Sequence, residues 1–181
     1  MISIWIVFRF RSGDRGQERP VDSFQQPPYG GNRLEWDCGT AVCAFLFLLA
    51  GESWQPWLEA CPERGISPAD LVRYFDHRGW PARAYDLPWD QLEQFFKESP
   101  NQPLLAHADL GLGRYLLVLG LVQDYLVVAD ANCDLQVVRP SVFLTDFSGL
   151  ILHFPRLAPL PWVGDVLVAI DHRLRRLRGH R

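Results

Sequence analysis

The stretch NRLEWDCGTAVCAFLFLLAG, residues 32–51, decides how the rest of the chain is read. From Cys38 to Leu49 it is apolar on every side, the mark of a helix enclosed by a core. Asp37 stands before the run as a cap, and Cys38-Gly39-Thr40 makes the first turn. A cysteine in that position has its thiolate stabilised by unpaired backbone N–H groups and the helix dipole. The same amides can receive the oxyanion of an acyl transfer. Apolar helices also bury cysteines that only pack. Cys38 is therefore a nucleophile or a packed thiol, and the choice turns on whether a base arrives from elsewhere in the chain.

Working outward, 181 residues suffice for one well-formed core. The net charge of −3 gives no overall nucleic-acid footprint, so nucleic acid is disfavoured as a partner. Cys38, Cys43, Cys61 and Cys133 form no Cys-x-x-Cys pair, and no histidine stands at metal-ligand spacing from them. Neither a metal site nor a cofactor is expected. Cys43, Cys61 and Cys133 lack a helix-start setting and read as packing residues. So few thiols suit a reducing, cytoplasmic setting. The opening MISIWIVFRF is too short to span a membrane and lacks a cleavage site.

Residues 2–10 read as a strand and 11–33 as a loop rich in Gly, Pro, Gln and Arg. GISPADLVRYFDHRG reads as a helix capped by Ser67, with Pro68 in its first turn and Gly79 as its stop. PARAYDL is a short strand and PWDQLEQFFKES a surface helix. QPLLAHA, RYLLVLGLV, YLVVADA and LQVVRP follow as four strands, then PSVFLTDF as a helical turn and GLILHF as a last strand. Helices first and an antiparallel sheet afterwards predict an α+β domain. The divisions are an N-terminal strand and arm over 1–31, a body over 32–155, and a Pro-rich link with a terminal helix over 156–181.

An Asp-Cys-Gly helix start, then RGISPADL, PLLAH, a glycine leading into YLLVLG, and VVADA, resembles the bacteriocin-processing cysteine peptidases. These are papain-like domains that cleave double-glycine leaders and are often fused to peptide-exporting ABC transporters. The resemblance covers roughly residues 32–154. It implies a papain-like α+β fold, with Cys38 at the nucleophile and Asp130 at the acid that orients the family's histidine. That histidine opens a strand 16 residues before the aspartate, and here the position holds Arg114. The oxyanion-hole glutamine, six residues before the cysteine, is replaced by Asn32. Thr40 and Ala131 stand where the family often has prolines.

A guanidinium has only donors and stays protonated, so Arg114 can favour a Cys38 thiolate but cannot shuttle a proton. General acid–base catalysis contributes on the order of 100- to 10,000-fold. Oxyanion donors must sit about 3 Å from the developing charge, which a shorter Asn32 side chain reaches less well. Both losses fall on the same reaction. The sequence thus predicts a catalytically impaired, peptidase-like domain that binds a peptide segment or partner protein, in the setting of a secretion or assembly machine. The alternative is an active thiol peptidase or acyltransferase that uses Cys38 with a relocated histidine. His107, in LLAHADLG one short loop before Arg114, is the candidate.

Beyond the body, Val163, Val166, Leu167, Ile170, Leu174 and Leu177 form one helical stripe, opposite Asp165, His172, Arg173, Arg175 and Arg176. The stripe must be covered. Candidates are the protein's own body, a partner protein, or an anionic membrane surface contacted peripherally through 162–181. The expectation is that removing this helix leaves the body folded.

Overall fold

The computed structural model describes residues 6–8, 38–52, 66–109, 114–129, 135–157 and 159–179. In chain order the elements are β1 (Ile6–Phe8), α1 (Cys38–Leu49), α2 (Pro68–His77), β2 (Arg83–Asp86), α3 (Trp89–Glu98) and β3 (Leu104–Ala108). Then come β4 (Arg114–Val122), β5 (Tyr125–Ala129), β6 (Leu135–Val138), α4 (Pro140–Asp146), β7 (Phe147–His153) and α5 (Pro161–Gly179). The strands form one seven-stranded sheet in the order β1-β6-β5-β4-β3-β7-β2. Every pairing is antiparallel. β3 to β6 make a meander, as their four apolar runs predict. The last strand begins earlier than expected: β7 starts at Phe147, directly out of α4, and its pairings with Ala106 and Ala108 of β3 straddle a register shift.

Both faces of the sheet are covered. On one side α1, α2 and α5 build the larger cluster with Leu105, Tyr115, Leu117, Leu119, Val127 and Ala129. On the other, Leu92 and Phe96 of α3 and Phe143 of α4 pack on Leu104, Ala106, Val118, Leu126 and Val128. Strand alternation explains the division until the register shift between Val118 and Gly120. Beyond it Leu121 faces the smaller cluster and Val122 the larger, as one extra residue in β4 requires.

α1 is enclosed, with Val42, Cys43, Phe45, Leu46 and Phe47 buried, so the reading of Cys43 as a packing residue holds. Cys61 and Cys133 lie outside the described residues. Phe47 stacks on Phe75 at 5.5 Å and tilts against Trp80 at 4.5 Å, joining α1 to α2. α2 begins as predicted: the Ser67 hydroxyl caps Asp70 N–H while the Asp70 carboxylate accepts from Ser67 N–H.

Of the three candidate covers for the terminal helix, the structure shows the protein's own body. Val163, Val166, Ile170 and Leu174 are buried in the larger cluster beside β4, and Leu167 packs against it. All of the stripe except Leu177 is covered by the protein itself. Trp162, Val168 and Leu177 remain exposed, too scattered to form an apolar face. No helix among the described residues is long and apolar enough to cross a membrane.

Candidate functional site at one end of the sheet

Antiparallel order gathers particular strand ends. Arg114 opens β4 opposite Ala108, which closes β3. Ala129 closes β5 opposite Leu117, and Phe147 opens β7 opposite Ala108. Asp86 closes β2 opposite Leu150. All these termini therefore lie along the same end of the sheet. Asp130 follows Ala129 directly in the chain, and α1, which packs on β4, begins at Cys38. The side chain of Cys38, together with Asp130 and Asn32, lies outside the described residues.

Arg114 is exposed and forms no ion pair with any described residue. Its neighbour Tyr115 turns inward and donates its buried hydroxyl to Ile66 O at 3.2 Å, tying β4 to the approach to α2. The local reason is alternation: an exposed residue at the strand start precedes a buried one.

His107 is held in one orientation. Its ring sits 5.3 Å from that of Tyr115, and its Nδ1 is 2.9 Å from Ser148 Oγ. The Ser148 hydroxyl donates to His107 O at 3.0 Å, while Leu150 N–H donates to Ser148 Oγ at 3.3 Å. A hydroxyl has a single hydrogen, and this one is committed to the carbonyl. Ser148 Oγ can then only accept from the ring, so in the neutral ring Nδ1 carries the proton and Nε2 keeps its lone pair. A general base needs a ring nitrogen with such a free lone pair. Ser148 was not singled out in the sequence. It lies 41 residues from His107, and only strand pairing brings the two together.

His153 is different. Its Nε2 accepts from Gln102 Nε2 at 3.2 Å, and burial followed by the nearby Arg83 pushes its pKa below the ordinary value of 6.5. Its lone pair is already engaged, which removes it from the candidate bases. Among the described residues no group of His, Cys, Asp and Glu could hold a metal.

A shallow, open concavity of about 460 Å³ continues along this sheet end. It is bounded by Asp86, Leu87, Pro88 and Trp89 on one side, and by Leu144, Phe147, Ser148 and Gly149 on the other. Nothing in the local sequence marks it, because its two walls are about 60 residues apart and meet only through the β2–β7 pairing.

The architecture is that of papain-like peptidase domains. The peptidase domain of Streptococcus ComA, a bifunctional ABC transporter in a quorum-sensing pathway, aligns at a TM-score of 0.57 and 20% identity, covering 64% of this chain and 88% of that one. A double-glycine-motif protease from an AMS/PCAT transporter, solved in complex with its leader peptide, aligns at a TM-score of 0.55 and 17% identity, covering 65% of this chain and 83% of that one. The peptidase domain of Streptococcus mutans ComA aligns at a TM-score of 0.50 and 19% identity, with 67% and 93% covered. No family model and no curated protein matches the chain.

Proposed function

We propose that this protein is a catalytically impaired, papain-like domain that binds an extended peptide or partner-protein segment and does not turn it over. The carrying observation is an arginine at the start of β4, where the resemblance expects the catalytic histidine. Arg114 offers donors and a fixed positive charge, which suit holding a carboxylate, a peptide carbonyl or a thiolate. It cannot take a proton from Cys38 and return it to a leaving amine. The reading is further supported by the fold shared with a leader-peptide-bound protease. Strand addition and side-chain pockets can bind an extended chain without chemistry. A secretion or assembly machine is the setting this implies, with the leader of an exported peptide as the ligand class.

The test is binding. A fluorescein-labelled double-glycine leader peptide, titrated into the full chain, is expected to show saturable anisotropy and to be recovered intact. A lack of binding at millimolar peptide refutes the reading.

A second reading has one observation in its favour. In a neutral His107 ring the contact with Ser148 leaves the Nε2 lone pair available, which a base for Cys38 in a thiol peptidase or acyltransferase would need. Here Cys38-dependent turnover is expected to fall steeply in His107→Ala and partly in Ser148→Ala. Turnover unaffected by His107→Ala excludes this reading.

A further inference from the structure

β2 is one edge of the sheet, with all four of its residues exposed and no further strand beside it among the described residues. Its backbone bonding follows from one contact: Leu87 N–H donates to Gly149 O at 2.9 Å. In an antiparallel ladder bonded and non-bonded pairs alternate. Tyr85 and Arg83 therefore bond inward to Ile151 and His153, and Ala84 and Asp86 turn their N–H and C=O groups outward. The next outward amide, Ala82 N–H, is already taken by Asp76 Oδ1 at 3.3 Å. Among the described residues, a short row of four backbone groups, the N–H and C=O of Ala84 and Asp86, has no partner. Only another extended chain has donors and acceptors at the matching two-residue period.

That row ends at the concavity. Asp86 lines it together with Leu87, Trp89, Leu144 and Phe147. Gly149 has φ +91°, and a Cβ placed there would collide with the Asp86 carboxylate. The bare backbone of Gly149 is thus where this carboxylate rests. Asp86 makes no ion pair among the described residues. Apolar side chains beside a carboxylate with no ion pair among the described residues suit a side chain with an alkyl stem and a cationic head, which is the chemistry of arginine and lysine.

We infer that the outer edge of β2 and the Asp86–Trp89–Phe147 concavity form a second peptide-docking site, taking an extended segment whose basic side chain lies over Trp89 and Phe147 and pairs with Asp86. A second copy of the chain fits the edge less well. Two-fold pairing through the outward groups puts Asp86 opposite Ala84 of the other copy, leaving both carboxylates without a cation. The site is independent of the function proposed above: β2 stands three strands from β4, roughly 14 Å across the sheet.

The probe is a fluorescein-labelled heptapeptide of alternating threonine and valine with one central arginine, titrated into the full chain. Saturable binding is expected, with Asp86→Asn weakening it about fivefold, the scale of a partly exposed ion pair. A norleucine peptide is expected to bind more weakly and to ignore Asp86→Asn. N-methylation of alternate peptide amides should abolish binding, and bound peptide should protect the amides of Ala84 and Asp86 from hydrogen exchange. Absence of binding, or equal affinity for wild type and Asp86→Asn, overturns the inference. So does self-association that protects the Ala84 amide without peptide, since the edge would then belong to a second copy.

Discussion

The two ends of the sheet are built from the same strands and handle their polar groups in opposite ways. At the end of the β4–β5 hairpin, Gln123 donates to Asp171 at 2.7 Å, and Arg175 bonds the same carboxylate at 2.8 Å. Tyr125 sits between Arg178 and Arg139, with their guanidinium carbons 5.8 and 6.0 Å from its ring. A hydrogen bond from Arg178, followed by one from Arg139, holds its phenol below the ordinary value. That end is tied to α5. At the other end Arg114 and Asp86 have no ionic partner among the described residues, and His107 has its tautomer fixed with a lone pair left over. Polar groups that bond one another hold the fold together. Polar groups left available are where a ligand can be bound.

If the hairpin end is structural, removing what it is tied to should have the largest effect. Deleting residues 161–181 exposes the surface that Val163, Val166, Ile170 and Leu174 cover. At about 1.5–3 kcal/mol for each such side chain, the loss rivals the whole stability of an ordinary domain. The truncated chain should therefore lose its cooperative urea transition, as followed by circular dichroism. A truncated chain that unfolds cooperatively at the wild-type midpoint would return the helix to the status of an addition.

The other end should respond in reactivity more than in stability. A thiol at the start of α1 is expected to alkylate with iodoacetamide below the pH of an ordinary cysteine near 8.5. Arg114→Ala should raise that midpoint by less than about one unit, because an exposed guanidinium acts through solvent. An inert Cys38 would place it among packed thiols, like Cys43.

A smaller effect belongs to His153, which lies at neither site. Its folded pKa is depressed by burial and then by Arg83, so the fold favours the neutral ring that accepts from Gln102. The stabilisation is fully present above the unfolded value near 6.5 and is lost as pH falls through the lower folded value. The urea midpoint should decline from pH 7.5 to pH 5 in wild type and stay flatter in His153→Gln. Identical profiles would mean that the histidine is hydrated.

How much of this was legible in the sequence depends on the range of the interaction. α2 was readable because its capping box and Pro68 act within one turn. The meander was readable because β3 to β6 follow one another through short apolar runs. The amphipathic pattern of α5 was visible, but what covered it was not. A stripe states that it must be buried and leaves open whether its cover is internal. At the site, Arg114 and His107 could be found by their place in strands. Ser148, Gly149 and Asp86 could not, because their roles arise from β7 pairing with both β3 and β2.

With arginine at position 114, the proposed peptide-binding domain is expected to bind without turnover. The most direct measurement incubates the full chain with a double-glycine leader peptide under reducing conditions and follows intact and cleaved species by mass spectrometry, beside Cys38→Ala. Wild type and Cys38→Ala are expected to leave the peptide equally intact, at concentrations where it is bound. Cleavage after the double glycine by wild type, absent in Cys38→Ala, would contradict it.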